Sequence, residues 1–300
     1  MKAVLLVGHG SRDPEGNEQV RQFIHKLKPQ LEPSLLVETC FLEFELPTIS
    51  QGIDTCVMKG ASHVIVIPIM LLPAGHSKIH IPAAIDEAKE KYPSIQLTYG
   101  RPIGIHEETF EICKANLEKL GENVQEPGKD TAIVFLGRGG SDPDANSELY
   151  KIARLFYEKV NYSLVEPAFM GVTDPLIEQG IERCIKLGAK KIVILPYFLF
   201  TGILIKRLET LMEELQHLYP EHKFKLAGYF GFHDRLKTII EDRITEALQG
   251  EVKINCDTCQ YRLAAMEHID HHHDHHHHDH HHDQTHDHHD EQEKDEVQKA

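Results

Sequence analysis

The 300-residue chain lacks the features of several large classes of protein. No apolar run approaches the length of a membrane span, and the apolar start MKAVLLVG is too short for a signal peptide. Its six cysteines show no spacing typical of a disulfide framework, which favours a reducing cytoplasm over secretion. It also lacks the basic stripe of a nucleic-acid-binding protein. We therefore expect a cytoplasmic protein that binds neither a membrane nor a nucleic acid.

Negative charge is concentrated at the C-terminal end. The formal net charge is −15, but residues 267–300 carry eleven acidic residues and two lysines, so residues 1–266 hold only −6. Nucleotide-binding motifs are absent as well. The segment GHGSRD places Asp13 where a dinucleotide fingerprint has its third glycine, and no P-loop sequence occurs. We therefore expect no nucleotide cofactor.

The chain contains an internal duplication, which predicts two similar lobes. VGHGSRDPEGN, from Val7, recurs as LGRGGSDPDAN from Leu136, and the segment from Phe41 aligns without gaps with that from Phe169. Short runs rich in Val and Ile alternate with amphipathic stretches, the pattern of parallel sheets flanked by helices. We predict an α/β fold with a four-stranded sheet in each lobe, over residues 1–125 and 126–250. A Cys-x-x-Cys segment and a His/Asp-rich metal-binding tail follow, over residues 251–300, and we expect this tail to be disordered without metal. The predicted strands are Ala3–Val7, Val37–Phe41, Val64–Pro68, Gln96–Tyr99, Ala132–Leu136, Leu164–Phe169, Lys191–Pro196 and Phe224–Gly228.

Three polar side chains follow strands of the first copy. His9 follows the first strand, Glu43 the second and His76 the third. Because ligands of parallel α/β sheets bind beyond the carboxyl ends of the strands, these groups are expected to share one edge.

The second copy keeps the glycines and prolines of the repeated segments but has none of the three polar side chains. Arg138 stands opposite His9 and Gly171 opposite Glu43, while Ile203 or Leu204 stands opposite His76. We therefore predict a chemical site in the first lobe alone, and we expect Arg138 to take no part in the chemical step.

Other polar residues receive different interpretations. His106 and His233 persist in both copies at the start of a helix, which favours a capping or packing role. A group of basic residues near the strand ends could together bind a polyanion. With the nearby aromatic residues they would suit a flat apolar molecule bearing carboxylates. The basic residues are Arg12, Lys78, Arg101, Lys206 and Arg207, and the aromatic ones are Tyr197, Phe198 and Phe200.

The C-terminal segment carries candidate metal ligands. Cys256 and Cys259 could hold zinc with His268 or a later histidine. They could instead hold an iron–sulfur cluster, which needs four thiolates and so requires two chains to share it or other cysteines to join. The other four cysteines, in predicted strands and helices, are most simply core residues. The alternation of His and Asp over residues 271–290 favours Co²⁺, Ni²⁺ or Zn²⁺.

Together these motifs resemble the sirohydrochlorin chelatases of the class II chelatase superfamily, and among them the long cobaltochelatase form of anaerobic cobalamin synthesis. The resemblance rests on GHGSRDP, FLEF, LLPAGHSKIHIP, the degenerate second copy, NCDTCQYR and the His-rich end. It implies a lyase that inserts Co²⁺ into sirohydrochlorin, with the macrocycle in the cleft between the lobes.

The resemblance also implies residue roles. His9 and His76 would hold the metal, His9 would also accept protons, and the acidic residue after the second strand, Glu43 or Glu45, would assist. The macrocycle site would include Glu43 and the loop Leu71, Leu72, Pro73, Ala74, Gly75 and His76. Cys256 and Cys259 match a motif for a 4Fe-4S centre, which would imply a homodimer if two chains share the cluster. Ile254 stands where that motif has Met.

Two alternatives remain open. Ferrochelation of the same substrate, for sirohaem, would use the same site, because selectivity between Co²⁺ and Fe²⁺ depends on geometry and supply. A non-enzymatic metallochaperone would suit the His-rich end, but it would not require a three-residue site in only one lobe.

Overall fold

The computed structural model describes residues 1–250, apart from the side chain of His76. Its first half runs β1 (Lys2–Gly8), α1 (Pro14–Leu27), β2 (Leu36–Phe41), α2 (Ile49–Met58), β3 (His63–Ile69), α3 (Ile81–Lys91), β4 (Gln96–Tyr99) and α4 (Glu107–Lys119). Its second half runs β5 (Thr131–Gly137), α5 (Pro143–Tyr157), β6 (Leu164–Phe169), α6 (Ile177–Lys186), β7 (Lys191–Pro196), α7 (Ile203–Leu218), β8 (Lys223–Leu226) and α8 (Asp234–Gln249). No helix in this range is both long and apolar enough to cross a bilayer.

The strands form two parallel four-stranded sheets with the same topology. Their orders are β2-β1-β3-β4 and β6-β5-β7-β8. The predicted α/β class and the two sheets are therefore confirmed, and the predicted strand ends lie within two residues of the observed ones. Continuous apolar runs predicted these strands well because both faces of each sheet are covered by helices.

The two sheets share one central core. Alternate residues of a strand point to opposite faces, so Val4 and Leu6 of β1 face this core with Ile133 and Phe135 of β5. Ala3, Leu5 and Val7 of β1 point to the opposite face of the sheet and pack in a separate cluster with α2 and α3. The second sheet has an equivalent cluster with α6 and α7.

The last helix of each half reaches the other half. Asn116 of α4 donates to the backbone oxygens of Gly228 and Tyr229, after β8. Arg243 of α8 donates to the backbone oxygens of Pro102 and Ile103, after β4. The division at residues 125 and 126 therefore stays a prediction about domain limits, while both sheets lie in one compact unit.

Candidate active site at the strand ends

The candidate site lies where the strand order of the first sheet reverses. The chain passes from β1 to β2 on one side and returns to β3 on the other side of β1. The ends of β1 and β3 diverge into a crevice at such a point, which is the usual ligand position in this class of sheet. His9 follows β1 directly, and the loop of residues 70–75 follows β3.

A tight backbone contact brings His9 to Glu43. Gly10 has a φ of +87°, and a Cβ atom there would lie 1.7 Å from the backbone oxygen of Glu43, so only glycine fits. The Glu43 N–H donates to the backbone oxygen of His9 at 3.1 Å. The His9 Nδ1 atom then lies 3.5 Å from Glu43 Oε1, with the two side chains 29% and 30% exposed. The two groups can therefore act as one acid–base unit.

Glu45, the other candidate carboxylate, is held by the fold. It accepts hydrogen bonds from the Leu46 N–H, from Arg21 at 3.0 Å and from Asn17 Nδ2 at 2.9 Å. These donors, the Leu46 amide first, lower the pKa of the Glu45 carboxyl. The contacts favour Glu43 as the carboxylate beside the chemistry and give Glu45 a role in holding the loop.

Two cavities meet at His9. The first, about 590 Å³, lies between the loop after β3 and the loop after β5, and the second, about 510 Å³, lies between the loop after β1 and the loop after β7. His9, Arg138 and Phe198 line both. Of the other predicted aromatic residues, Tyr197 lines the first cavity and Phe200 the second.

The loop after β3 forms one wall of the first cavity. Leu71, Leu72, Ala74 and Gly75 line it, and Pro73 does not. His76 begins a five-residue π-turn that ends at His80, but its side chain lies outside the described part of the structure. Among the described side chains no group of three metal-ligating residues converges, so the predicted pairing of His9 with His76 stays a prediction.

Two residues at the cavity were not assigned to the site from the sequence. His80, interpreted as the start of a helix, does precede α3 but also lines the first cavity. Its spacing of four residues from His76 is the signal that could have indicated this. Arg138, expected to be absent from the chemistry, places Nη1 3.2 Å from His9 Nε2. The contact places Arg138 at the candidate site, because residues at equivalent positions of the two copies meet in the cleft; that Arg138 takes no part in the chemical step stays a prediction.

Carboxylates of this chain already bind three of the basic residues that were predicted to receive a polyanion together, and the polyanion site stays a prediction. Lys78 contacts Asp142 and Asp144, both at 2.8 Å, and at the equivalent place Lys206 contacts Asp13 at 2.7 Å and Glu15 at 3.0 Å. Arg101 binds Glu246 with two hydrogen bonds of 2.8 Å. Arg12 lies over the ring of Phe44, with 4.8 Å from its Cζ to the ring centroid. Arg207 is exposed.

Several predictions away from the cleft are confirmed. His106 and His233 precede α4 and α8, and each accepts a hydrogen bond from a backbone N–H of the first turn, as capping residues do. The four cysteines predicted to lie in the core are buried, and burial raises the pKa of each thiol. Buried thiols of this kind are typical of inert core residues. Cys256, Cys259, His268 and residues 267–300 lie outside the described residues.

The chain was compared with known proteins. The CbiX family model matches it twice, at residues 3–120 and 132–247. A sirohydrochlorin cobaltochelatase of Priestia megaterium is 68% identical over 272 residues, which covers 91% of this chain and 88% of the relative. A sirohydrochlorin ferrochelatase of the same organism is 35% identical, covering 84% and 92% of the two chains.

A solved structure has the same fold. The sirohydrochlorin chelatase SirB from Bacillus subtilis subspecies spizizenii, in complex with cobalt, superposes with a TM-score of 0.70 at 30% identity, over 83% of this chain and 96% of that one. Since the family model covers most of both halves, including the strand ends that carry the candidate site, the chain belongs to the CbiX family.

Proposed function

We propose that this chain inserts Co²⁺ into sirohydrochlorin without ATP, as a step of anaerobic cobalamin synthesis. The observation that carries the proposal is the contact of His9 with Glu43 at the switch point of the first sheet. The relative at 68% identity is a sirohydrochlorin cobaltochelatase, which supports cobalt over iron. Ferrochelation is the second candidate, because a relative at 35% identity is a sirohydrochlorin ferrochelatase.

The proposed mechanism assigns metal binding and proton transfer to the same imidazole. Insertion of a divalent metal displaces two pyrrole protons. A neutral histidine can accept one proton at a time near pH 7 and pass each to water before it accepts the next. His9 would bind Co²⁺ through Nε2. As the metal passes to the ring nitrogens, the freed Nε2 atom would accept a pyrrole proton, and Glu43, 3.5 Å from Nδ1, would stabilise the imidazolium. We assign the second metal-binding position to His76, which begins the turn on the cavity wall.

The first cavity is the proposed place of the macrocycle. Leu71, Leu72 and Phe198 give it apolar walls against which a flat ring could lie. Orienting the ring against the metal would supply much of the acceleration, since the reaction needs no covalent intermediate. We accordingly propose a catalytic first lobe, 1–125, and a second lobe, 126–250, that completes the cleft.

The direct test is conversion of sirohydrochlorin by the pure protein and Co²⁺, followed by the visible spectrum of the macrocycle. His9→Ala and His76→Ala should each lower turnover by about two to four orders of magnitude, the range for a positioned acid–base group. Glu43→Gln should cost less. His217→Ala is the matched control, because His217 lies at the end of α7 and bonds to the backbone oxygen of Glu213. Native turnover in the His9 variant would refute the assignment, and metal binding without turnover by the native protein would favour a metallochaperone.

We further propose that the His/Asp-rich segment supplies metal to the cleft. A tethered ligand can present metal at an effective concentration in the millimolar range. Deleting residues 267–300 should therefore leave the maximal rate unchanged at abundant Co²⁺ and lower the rate at limiting Co²⁺. Coincident Co²⁺ titrations for the two proteins would remove this role.

Cys256 and Cys259 are proposed ligands of a 4Fe-4S cluster. The four other cysteines are buried core residues, so we propose that two chains contribute a pair each, giving a homodimer. Anaerobically purified protein should then contain iron and absorb broadly in the blue, and Cys256→Ser should abolish both. Zinc at the pair would refute the cluster. The free buried thiols also support a cytoplasmic location.

A further inference from the structure

The contact between Arg138 and His9 determines the tautomer of the histidine. Arg138 Nη1 lies 3.2 Å from His9 Nε2. A guanidinium carries only donors and stays protonated in proteins, so Nε2 must accept this hydrogen bond through its lone pair. The imidazole proton is then on Nδ1, which lies 3.0 Å from the backbone oxygen of Gly10 and 3.5 Å from Glu43 Oε1.

The duplicated fold brings these two side chains together. The loops after β1 and β5 have the same construction: Asn17 bonds twice to the backbone of Ser11, and Asn146 bonds twice to the backbone of Gly140. His9 and Arg138 occupy equivalent positions in these loops, and they meet because the loops face each other. Both residues line both cavities, so the contact lies where the two cavities join.

The same lone pair of His9 is required by the proposed reaction. With its proton on Nδ1, His9 can bind a metal only through Nε2, the atom to which Arg138 donates. A divalent cation and a guanidinium cannot share one lone pair, and their like charges repel. Binding of Co²⁺ to His9 must therefore displace Arg138.

Arg138 differs from the two lysines that pair with acidic residues of the opposite half. Lys78 and Lys206 each contact two carboxylates of this chain, whereas no carboxylate within residues 1–250 lies within 4.0 Å of the Arg138 guanidinium. The Arg138 side chain is exposed to the cleft. Its displaced donors would thus be available to an anionic group of a ligand in the cavity, in the paired geometry that arginine forms with carboxylates.

We propose that Arg138 is a positioning residue that exchanges partners during the reaction. Before metal binds, it holds His9 with the Nε2 lone pair directed into the cleft. When the metal takes Nε2, Arg138 moves its donors to a carboxylate of the macrocycle. Metal binding thereby strengthens macrocycle binding, and the residue opposite His9 in the degenerate copy keeps a function. The part of this inference that concerns the macrocycle rests on the proposed function.

The experiment compares Arg138→Ala and Arg138→Lys with the native protein. Affinity for Co²⁺ alone is measured by competition with a chromophoric chelator, with residues 267–300 deleted from every protein compared so that the His/Asp-rich segment does not bind the metal. The kcat and KM for sirohydrochlorin are measured on the full chains at saturating Co²⁺. Arg138→Ala should bind Co²⁺ alone more tightly, by several-fold, because the competing donor is gone. Its KM should rise about tenfold to a hundredfold, the range for loss of a hydrogen bond to a charged group, with a smaller change in kcat. Arg138→Lys should recover part of the KM, because it keeps the charge without the paired donors.

A spectroscopic measurement separates positioning from a merely structural role. The ¹⁵N resonances of His9 in the metal-free native protein should show the Nδ1–H tautomer, and Arg138→Ala should show a mixture. Arg154→Ala is the matched control: Arg154, on α5, pairs with the exposed Glu158 just beyond the helix, and its replacement should leave all these quantities unchanged.

Three results would overturn the proposal. Weaker Co²⁺ binding by Arg138→Ala would show that Arg138 does not compete with metal. An unchanged KM would show that it makes no contact with the macrocycle, and an unchanged tautomer would show that it does not position His9. If the native protein failed to metallate sirohydrochlorin, the proposed function would fail, but the Co²⁺ affinities and the tautomer would still test the competition at Nε2.

Discussion

Gly10→Ala is expected to damage both stability and turnover through one backbone contact. The new Cβ atom would lie 1.7 Å from the Glu43 oxygen and 2.8 Å from its carbonyl carbon, and neither atom can move without the backbone. Relief requires the loops after β1 and β2 to separate by more than an ångström. An alanine at a φ of +87° costs about 1–2 kcal/mol. The separation also stretches the hydrogen bond from the Glu43 N–H to the His9 oxygen, which contributes about 1 kcal/mol.

The free energy of unfolding should therefore fall by about 2–3 kcal/mol, which urea unfolding followed by circular dichroism would measure. The turnover of the folded fraction should fall by about a hundredfold, because the shift separates the imidazole of His9 from Glu43 by roughly an ångström. Both quantities come from the same protein sample, so loss of folded protein can be separated from loss of chemistry.

Gly139→Ala provides the matched comparison. It places a Cβ atom 2.1 Å from the Gly171 oxygen in the equivalent turn, at a φ of +80°. The loss of stability should be similar, but the displaced neighbour is Arg138, so the KM for the macrocycle should change more than kcat. Native stability of Gly10→Ala, or native turnover in a destabilised Gly10→Ala protein, would refute the reasoning.

Three further predictions follow from contacts outside the His9–Glu43 pair. Burial lowers the pKa of His106, and its Nδ1 atom must stay unprotonated to accept the hydrogen bond from the Glu108 N–H. As the pH falls through about 6.5, this histidine therefore takes up a proton in the unfolded chain but not in the folded chain. The free energy of unfolding should therefore decrease below pH 6.5, with at most about 1.4 kcal/mol per pH unit due to His106. Urea titrations at several pH values should show that His106→Asn removes this contribution to the pH dependence. Arg243→Met should lower the free energy of unfolding by about 3–5 kcal/mol, because it removes the buried donor of two backbone oxygens and one partner of Glu246; a loss below about 1 kcal/mol would contradict this. Lys78→Gln and Lys206→Gln should each lower the Tm, and the difference from native protein should shrink in about 1 M salt, because ions screen these half-exposed pairs; a salt-independent difference would point to lost packing instead.

The sequence predicted the sheets because their signals are local. A buried parallel strand is a short Val- and Ile-rich run, and a helix end depends on residues within one turn, as the capping histidines show. The internal repeat added a comparison between equivalent positions, which identified His9 and Glu43 by their absence from the second copy. The paired contact of these two side chains agrees with that comparison.

The contacts between the two halves depend on how the folded halves pack, so no periodic pattern in the sequence predicted them. The basic residues interpreted as a polyanion site are mostly bound by carboxylates: Lys78 and Lys206 pair with the equivalent acidic residues of the opposite half. Glu43 and Glu45 are two residues apart, and only the direction of each side chain in the folded loop separates the one beside His9 from the one held by Arg21.

The sequence by itself determined the fold class, the duplication and the edge of the sheet that carries the candidate site, because each depends on residue order and short-range pattern. Tertiary structure alone decided that α4 and α8 reach across to the opposite half, that the two cavities meet at one imidazole, and that Arg138 donates to its Nε2 atom. These features arise from two similar surfaces facing each other. Residues 129 positions apart in the chain come within 3.2 Å there, and no local pattern encodes such a distance.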